Sequence, residues 1–166
     1  MRSAEIITSK FTRVIATLQI AGSSAAALVM LPTMMENPPN LISIPVLMVM
    51  YAIFALGFIS GIWLWNGETR GHKYSILTQA LQVPIIFSTL VTYKFIFGLG
   101  AYFVLVGGPF DLQFQIGSFS MLYLFPGNPS PFLGLNIFAL IAMSHLITQL
   151  RAVDRKQEAP ANNAPH

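Results

Sequence analysis

Residues 41–65 read LISIPVLMVMYAIFALGFISGIWLW, twenty-five positions without a charged side chain. The hydrocarbon core of a bilayer is about 30 Å thick and takes about 20 apolar helical residues to cross, so this stretch predicts a transmembrane helix. Pro45 falls in its first turn, where a missing amide hydrogen costs no intrahelical bond. Trp63 and Trp65 close it with amphipathic rings of the kind that gather where membrane meets water.

Working outward from this stretch, three further apolar windows stand out, at about 14–32, 74–106 and 132–150. The first ends at Pro32 and the last is just long enough to cross. The third would be about 50 Å long as a helix, which predicts a tilt or kink near Pro84, or a break at Gly98 and Gly100. Of the 166 residues 54% are hydrophobic and only 9% charged, with a mean hydropathy of +0.64. An ordinary soluble domain carries about 25% charged residues, so lipid is the expected solvent. The expected fold class is therefore all-α: an integral membrane four-transmembrane-helix bundle forming one domain over 1–158. Residues 159–166, rich in Ala, Pro and Asn, read as a disordered tail. A basic start followed by Ala25, Ala26 and Ala27 also resembles a cleavable leader, but the apolar stretch is longer than a signal core.

The cations set the expected orientation. Arg2, Lys10 and Arg13 precede the first window, Arg70 and Lys73 lie between the second and third, and Arg151, Arg155 and Lys156 follow the fourth. Those three segments share one side of a four-span protein, and Lys and Arg mark the cytoplasmic side. Both termini are thus expected in the cytoplasm, with a bacterial inner membrane as the setting. The net charge of +3 is accounted for in this way and implies no nucleic-acid partner.

The link between the third and fourth windows has a different rhythm. Phe110, Leu112, Phe114 and Ile116 alternate with Asp111, Gln113 and Gln115, and after Gly117-Ser118 come Phe119, Met121 and Tyr123. Period two is that of a strand. A Gly-first two-residue turn suits a type II′ hairpin, which predicts a small amphipathic β-hairpin over about 110–125 on the outer side, with Phe114 opposite Met121 and Leu112 opposite Tyr123.

Polar residues at membrane depth are candidates for function. Lys94 falls near the outer edge of the third window, where its stem could reach water or its charge could pair with Asp111 or Glu36. His145 lies about 9 Å inside Arg151; Gln19, Ser60, Gln79 and Gln82 fall at similar depth in the other windows, and Gln149 one turn below. Together these predict a buried polar layer at the cytoplasmic end, with polar contact between helices its first meaning. Thr78, Gln82, Thr89 and Thr92 or Tyr93 add a polar stripe to the third window. Gly57 and Gly61, with the small residues from Ala21 to Ala27, allow the first two helices to approach closely.

Catalytic patterns are missing. There is no cysteine, hence no thiolate nucleophile or zinc–thiolate site, and no phosphate loop, serine elbow or paired His ligands. No residue pattern identifies a cofactor. The expected function is a non-enzymatic one in which contact does the work, as an accessory or structural subunit of a larger membrane complex or as a homo-oligomer. A small ion or proton channel or transporter using the third-window stripe with Lys94 or His145 is the alternative, and a lipid- or quinone-interacting membrane enzyme a second.

Overall fold

The first two apolar runs become two long antiparallel helices in the computed structural model, which describes residues 9–36, 41, 43–106, 112–124 and 132–158. They are α1 (Lys10–Glu36) and α2 (Ser43–Trp65). Ser9 caps α1, its Oγ accepting from the Thr12 amide at 3.1 Å, which satisfies one of the donors a helix start leaves unpaired. The helix runs one turn past Pro32, because a proline so near a helix end removes a single amide donor and leaves the earlier turns intact. Gly57 is what lets the pair close: a Cβ there would lie 2.3 Å from Ser23 Oγ on α1.

The third window is not a single helix. Its helix, α3 (Thr69–Gln82), starts five residues early and stops at Gln82. Pro84 has no amide hydrogen to carry the ladder on, and the β-branched and aromatic run that follows favours strand. At about 20 Å, α3 is too short to cross a bilayer. From there the chain forms β1 (Pro84–Phe87), β2 (Val91–Ile96), β3 (Leu99–Val106), β4 (Leu112–Ile116), β5 (Phe119–Leu124) and β6 (Phe132–Asn136) before α4 (Ile137–Glu158). The start of the fourth window is therefore strand as well. Among the described residues three helices are long and apolar enough to cross a membrane, over Lys10–Pro32, Ile44–Trp65 and Ile137–Arg155. In place of a four-span all-α bundle, the fold has these three, a short fourth helix and a six-stranded antiparallel sheet.

All four helices bring one end to a common level. Thr12 near the start of α1 and His72 near the start of α3 both reach Gln149 on α4. Arg13 lies 6.0 Å from the Trp65 ring and Arg70 4.3 Å from that of Trp63, both at the end of α2. The basic residues Arg13, Arg70 and Arg151 thus share one end of the molecule.

The expected hairpin forms as strands but not as a pair. β4 and β5 lie where the alternation put them, yet β4 pairs with β3 and β5 with β2, so the sheet order is β4-β3-β6-β1-β2-β5. Phe114 faces Ala101 rather than Met121, and Met121 faces Lys94. The pairs Ile96 with Phe119 and Leu99 with Ile116 continue one register across Gly98 and Gly117. Two long arms, 91–106 and 112–124, therefore run side by side and bend together at those two glycines, where Gly117 donates to the Gly98 carbonyl at 2.8 Å. Both glycines have positive φ, 83° and 108°, which other residues rarely adopt. Paired glycine kinks are a recurrent way to curve a sheet. Beyond the bend the arm 91–106 gains two different neighbours, β1 beside β2 and β6 beside β3. Since β1 and β6 also pair with each other, the sheet folds back on itself.

The folded sheet rests on the halves of α1 and α2 remote from the basic end. Phe95 and Phe97 pack with Ala26, Met50 and Phe54. A second apolar cluster, Ile15, Ala16, Leu64, Ala142 and Leu146, joins α1, α2 and α4 nearer the basic end.

Candidate functional site

The helices expose apolar side chains and bury polar ones beside the apolar clusters. Leu28, Val29, Met48, Val49, Phe58, Ile59 and Ile141 are exposed, while Thr12, Gln19, Ser23, Ser60, Thr78, Gln79 and Gln82 are buried. The inversion is sharpest on α3, which buries His72, Ser75, Thr78, Gln79 and Gln82 and exposes Tyr74 and Leu77. In water the arrangement would be costly on both faces. In lipid it puts the polar groups where protein partners can satisfy them.

Three hydrogen-bonded groups follow one another along α3. At the basic end, His145 Nε2 lies 3.1 Å from Ser9 Oγ and 3.2 Å from Thr12 Oγ1. Thr12 Oγ1 is 2.9 Å from Gln149 Oε1, and the same oxygen is 3.2 Å from His72 Nε2. Phe11 packs edge-on against the His145 ring at 4.9 Å. One turn further, Ser75 donates to Gln19 Oε1 at 2.9 Å, and Ser60 and Thr78 share a hydrogen bond of 3.2 Å. At the end of α3, Gln82 Oε1 accepts from the Phe97 amide at 2.9 Å and so ties helix to sheet. Gln19 Nε2, Ser23 Oγ and Gln79 Oε1 are buried and have no hydrogen-bond partner among the described residues.

The residues expected as one layer are thus spread along a file. His145 and Gln149 belong to the first group, Gln19 and Ser60 to the second and Gln82 to the third, with Gln79 buried between them. Ser9, Thr12, His72 and Ser75 complete the file. For His72 and Ser75 the signal was the helical spacing of His72, Ser75, Gln79 and Gln82, hidden because the charged segment 68–73 reads as a loop.

Lys94 lies inside the sheet, 7% exposed. Its Nζ donates to the Tyr102 hydroxyl at 3.0 Å and sits 4.2 Å from the ring centre, and Tyr102 in turn donates to Gln113 Oε1 at 2.6 Å. Of the two acids expected beside it, Asp111 lies outside the described residues and the Glu36 side chain is not among those described. Thr89 and Thr92 leave the helical stripe for the turn and strand of β1–β2. Tyr93 donates to the Leu81 carbonyl, and burial pushes its phenol up to about 12, which keeps it a donor.

Among the described residues no group of three or more His, Cys, Asp or Glu is placed to hold a metal ion. Comparison with protein-family models, with curated proteins and with solved structures finds no match.

Proposed function

We propose that this is an integral membrane protein with both termini in the cytoplasm, the chain passing back across between α2 and α4 through α3 and the strands together, that it acts through protein contact, and that its contact surface is the outer edge of β4. Membrane residence is supported by the apolar exterior of the helices and the polar side chains they bury, and the orientation by the basic residues gathered at one end.

The single observation that carries the contact reading is the conflict at β4. Phe114 is 73% and Ile116 88% exposed, and no described strand pairs with the outer edge of β4. Exposed aromatic and aliphatic side chains disfavour water, while unpaired backbone amides and carbonyls disfavour lipid. A protein offering a strand of its own resolves both at once. The sequence of β4, Leu-Gln-Phe-Gln-Ile, reads nearly the same in both directions about Phe114. A second copy laid antiparallel across a two-fold axis would set Phe114 against Phe114 and the glutamines against each other.

Since the chain has no cysteine, Phe114→Cys tests this on a clean background. Mild oxidation in membranes should give a covalent dimer, because directly opposed Cβ atoms lie about 4.5–5.5 Å apart. A strictly monomeric product, with wild type also monomeric in mild detergent, would overturn the second-copy reading.

A further inference from the structure

His72 is fully buried, and its two ring nitrogens face two oxygens. Nδ1 is 3.3 Å from the Glu68 carbonyl, and Nε2 is 3.2 Å from Gln149 Oε1. A backbone carbonyl can only accept, so Nδ1 must carry hydrogen. An amide oxygen can only accept as well, so Nε2 must carry hydrogen too, and an imidazole with both is the cation. One other assignment satisfies the contacts of His72 and Gln149: the Gln149 amide turned over, with its NH2 in place of Oε1. It then donates one hydrogen to a neutral His72 and the other to Thr12 Oγ1, 2.9 Å away, whose own hydroxyl hydrogen is freed toward His145. His145 itself is not constrained, since Ser9 and Thr12 hydroxyls can donate or accept.

We propose that His72 is a proton-binding site read out by the Gln149 amide, with Oε1 turned toward the imidazolium and NH2 turned toward the neutral ring. Uptake of one proton at Nε2 reverses the sense of the contacts joining α3, α4 and α1 without breaking any. The inference goes beyond the contact role proposed above and does not rest on it. At this end of the molecule the charged groups are Lys10 and Arg13 on α1, Arg70 and Lys73 on α3 with Glu68 before it, and Arg151, Asp154 and Arg155 on α4. No side chain among them is hydrogen-bonded into the cluster among the described residues; Glu68 is taken by Arg70. His145 is the titratable group that shares the cluster.

The full chain, 15N-labelled at histidine and glutamine in lipid nanodiscs, tests the proposal by NMR over about pH 5 to 9, the range in which imidazole charge changes. His72→Asn and His145→Asn variants assign the signals. The expected result is a His72 ring protonated on both nitrogens at the acid end, losing the Nε2 hydrogen as pH rises while the Gln149 amide signals move with the same midpoint. Gln149→Glu, which places a carboxylate against the ring, should raise that midpoint by about one pH unit or more. A His72 ring that stays neutral with hydrogen on Nδ1 alone throughout would overturn the proposal, as would a midpoint unmoved in a folded Gln149→Glu protein. The wild-type spectra decide the matter even if the variant does not fold.

Discussion

Helices α2 and α3 are neighbours joined by only three residues, and they solve opposite problems. The longer one is apolar all round, so nearly any face can meet lipid and its packing rests on shape: Gly57 against α1, Phe54 against the sheet. The shorter one carries polar residues on its inner face and depends on them, through His72, Ser75, Thr78 and Gln82, for its links to every neighbour. Where the surroundings are hydrocarbon, apolar surface gives no preference for the inside. A helix with a polar stripe does have such a preference, and α3 is accordingly the element that specifies how the others sit.

The largest test of this contrast removes the packing side. Phe54→Ala deletes a ring that touches Phe95 and Phe97 at 6.2 and 6.0 Å between centres, and should cost about 3–5 kcal/mol, seen as a lowered thermal midpoint in detergent. Next, a charge on the outward face of α3 asks what that face meets. Leu77 is 47% exposed; if it faces hydrocarbon, Leu77→Lys should cost about 2.5–3.5 kcal/mol by thermal unfolding in nanodiscs, whereas a loss near zero would mean that water lies there and would undo the contrast. Ser75→Ala then leaves Gln19 Oε1 buried without its donor, and about 1–3 kcal/mol should be lost in the same measurement. Smallest is the pair Ser60 and Thr78, linked at 3.2 Å: a double-mutant cycle with Ser60→Ala and Thr78→Val should return a coupling of about 0.6 kcal/mol. A coupling near zero would say that inter-helix polar contacts do not organise the bundle.

How much of this could be read beforehand follows from the same difference. Long uncharged windows marked α1, α2 and most of α4, because a helix long and apolar enough to cross a membrane stands out by hydropathy alone. Those windows missed the start of α3, since Arg70, His72 and Lys73 look like a loop when read for hydropathy. They also fused α3 with the strands after it. Strands buried on both faces carry no alternation, so 83–106 resembles helix by composition, and only Pro84 and the β-branched residues beyond it say otherwise. The alternation at 112–124 was legible as strand, but pairing depends on which chain lies alongside, and no local signal at Gly117-Ser118 tells a bend from a turn. In the site, Gln19, Ser60, Gln79, Gln82, His145 and Gln149 could be found by depth alone. Ser9 and Thr12 could not, because a hydroxyl at the first turn of a helix is ordinarily a cap.

Asn136 stands at the seam between β6 and α4. Its backbone amide donates to the Val83 carbonyl at 2.9 Å, and its Oδ1 accepts from the Ala139 amide at 3.3 Å, capping α4. One residue therefore finishes the excursion that began at Val83 and starts the final helix. During synthesis β1 and β3 both wait for β6 as their missing neighbour, so the ladder cannot be completed until the ribosome has passed Asn136. Two strands therefore stay unfinished until β6 has been made, and α4 is nucleated by the same event that seals them.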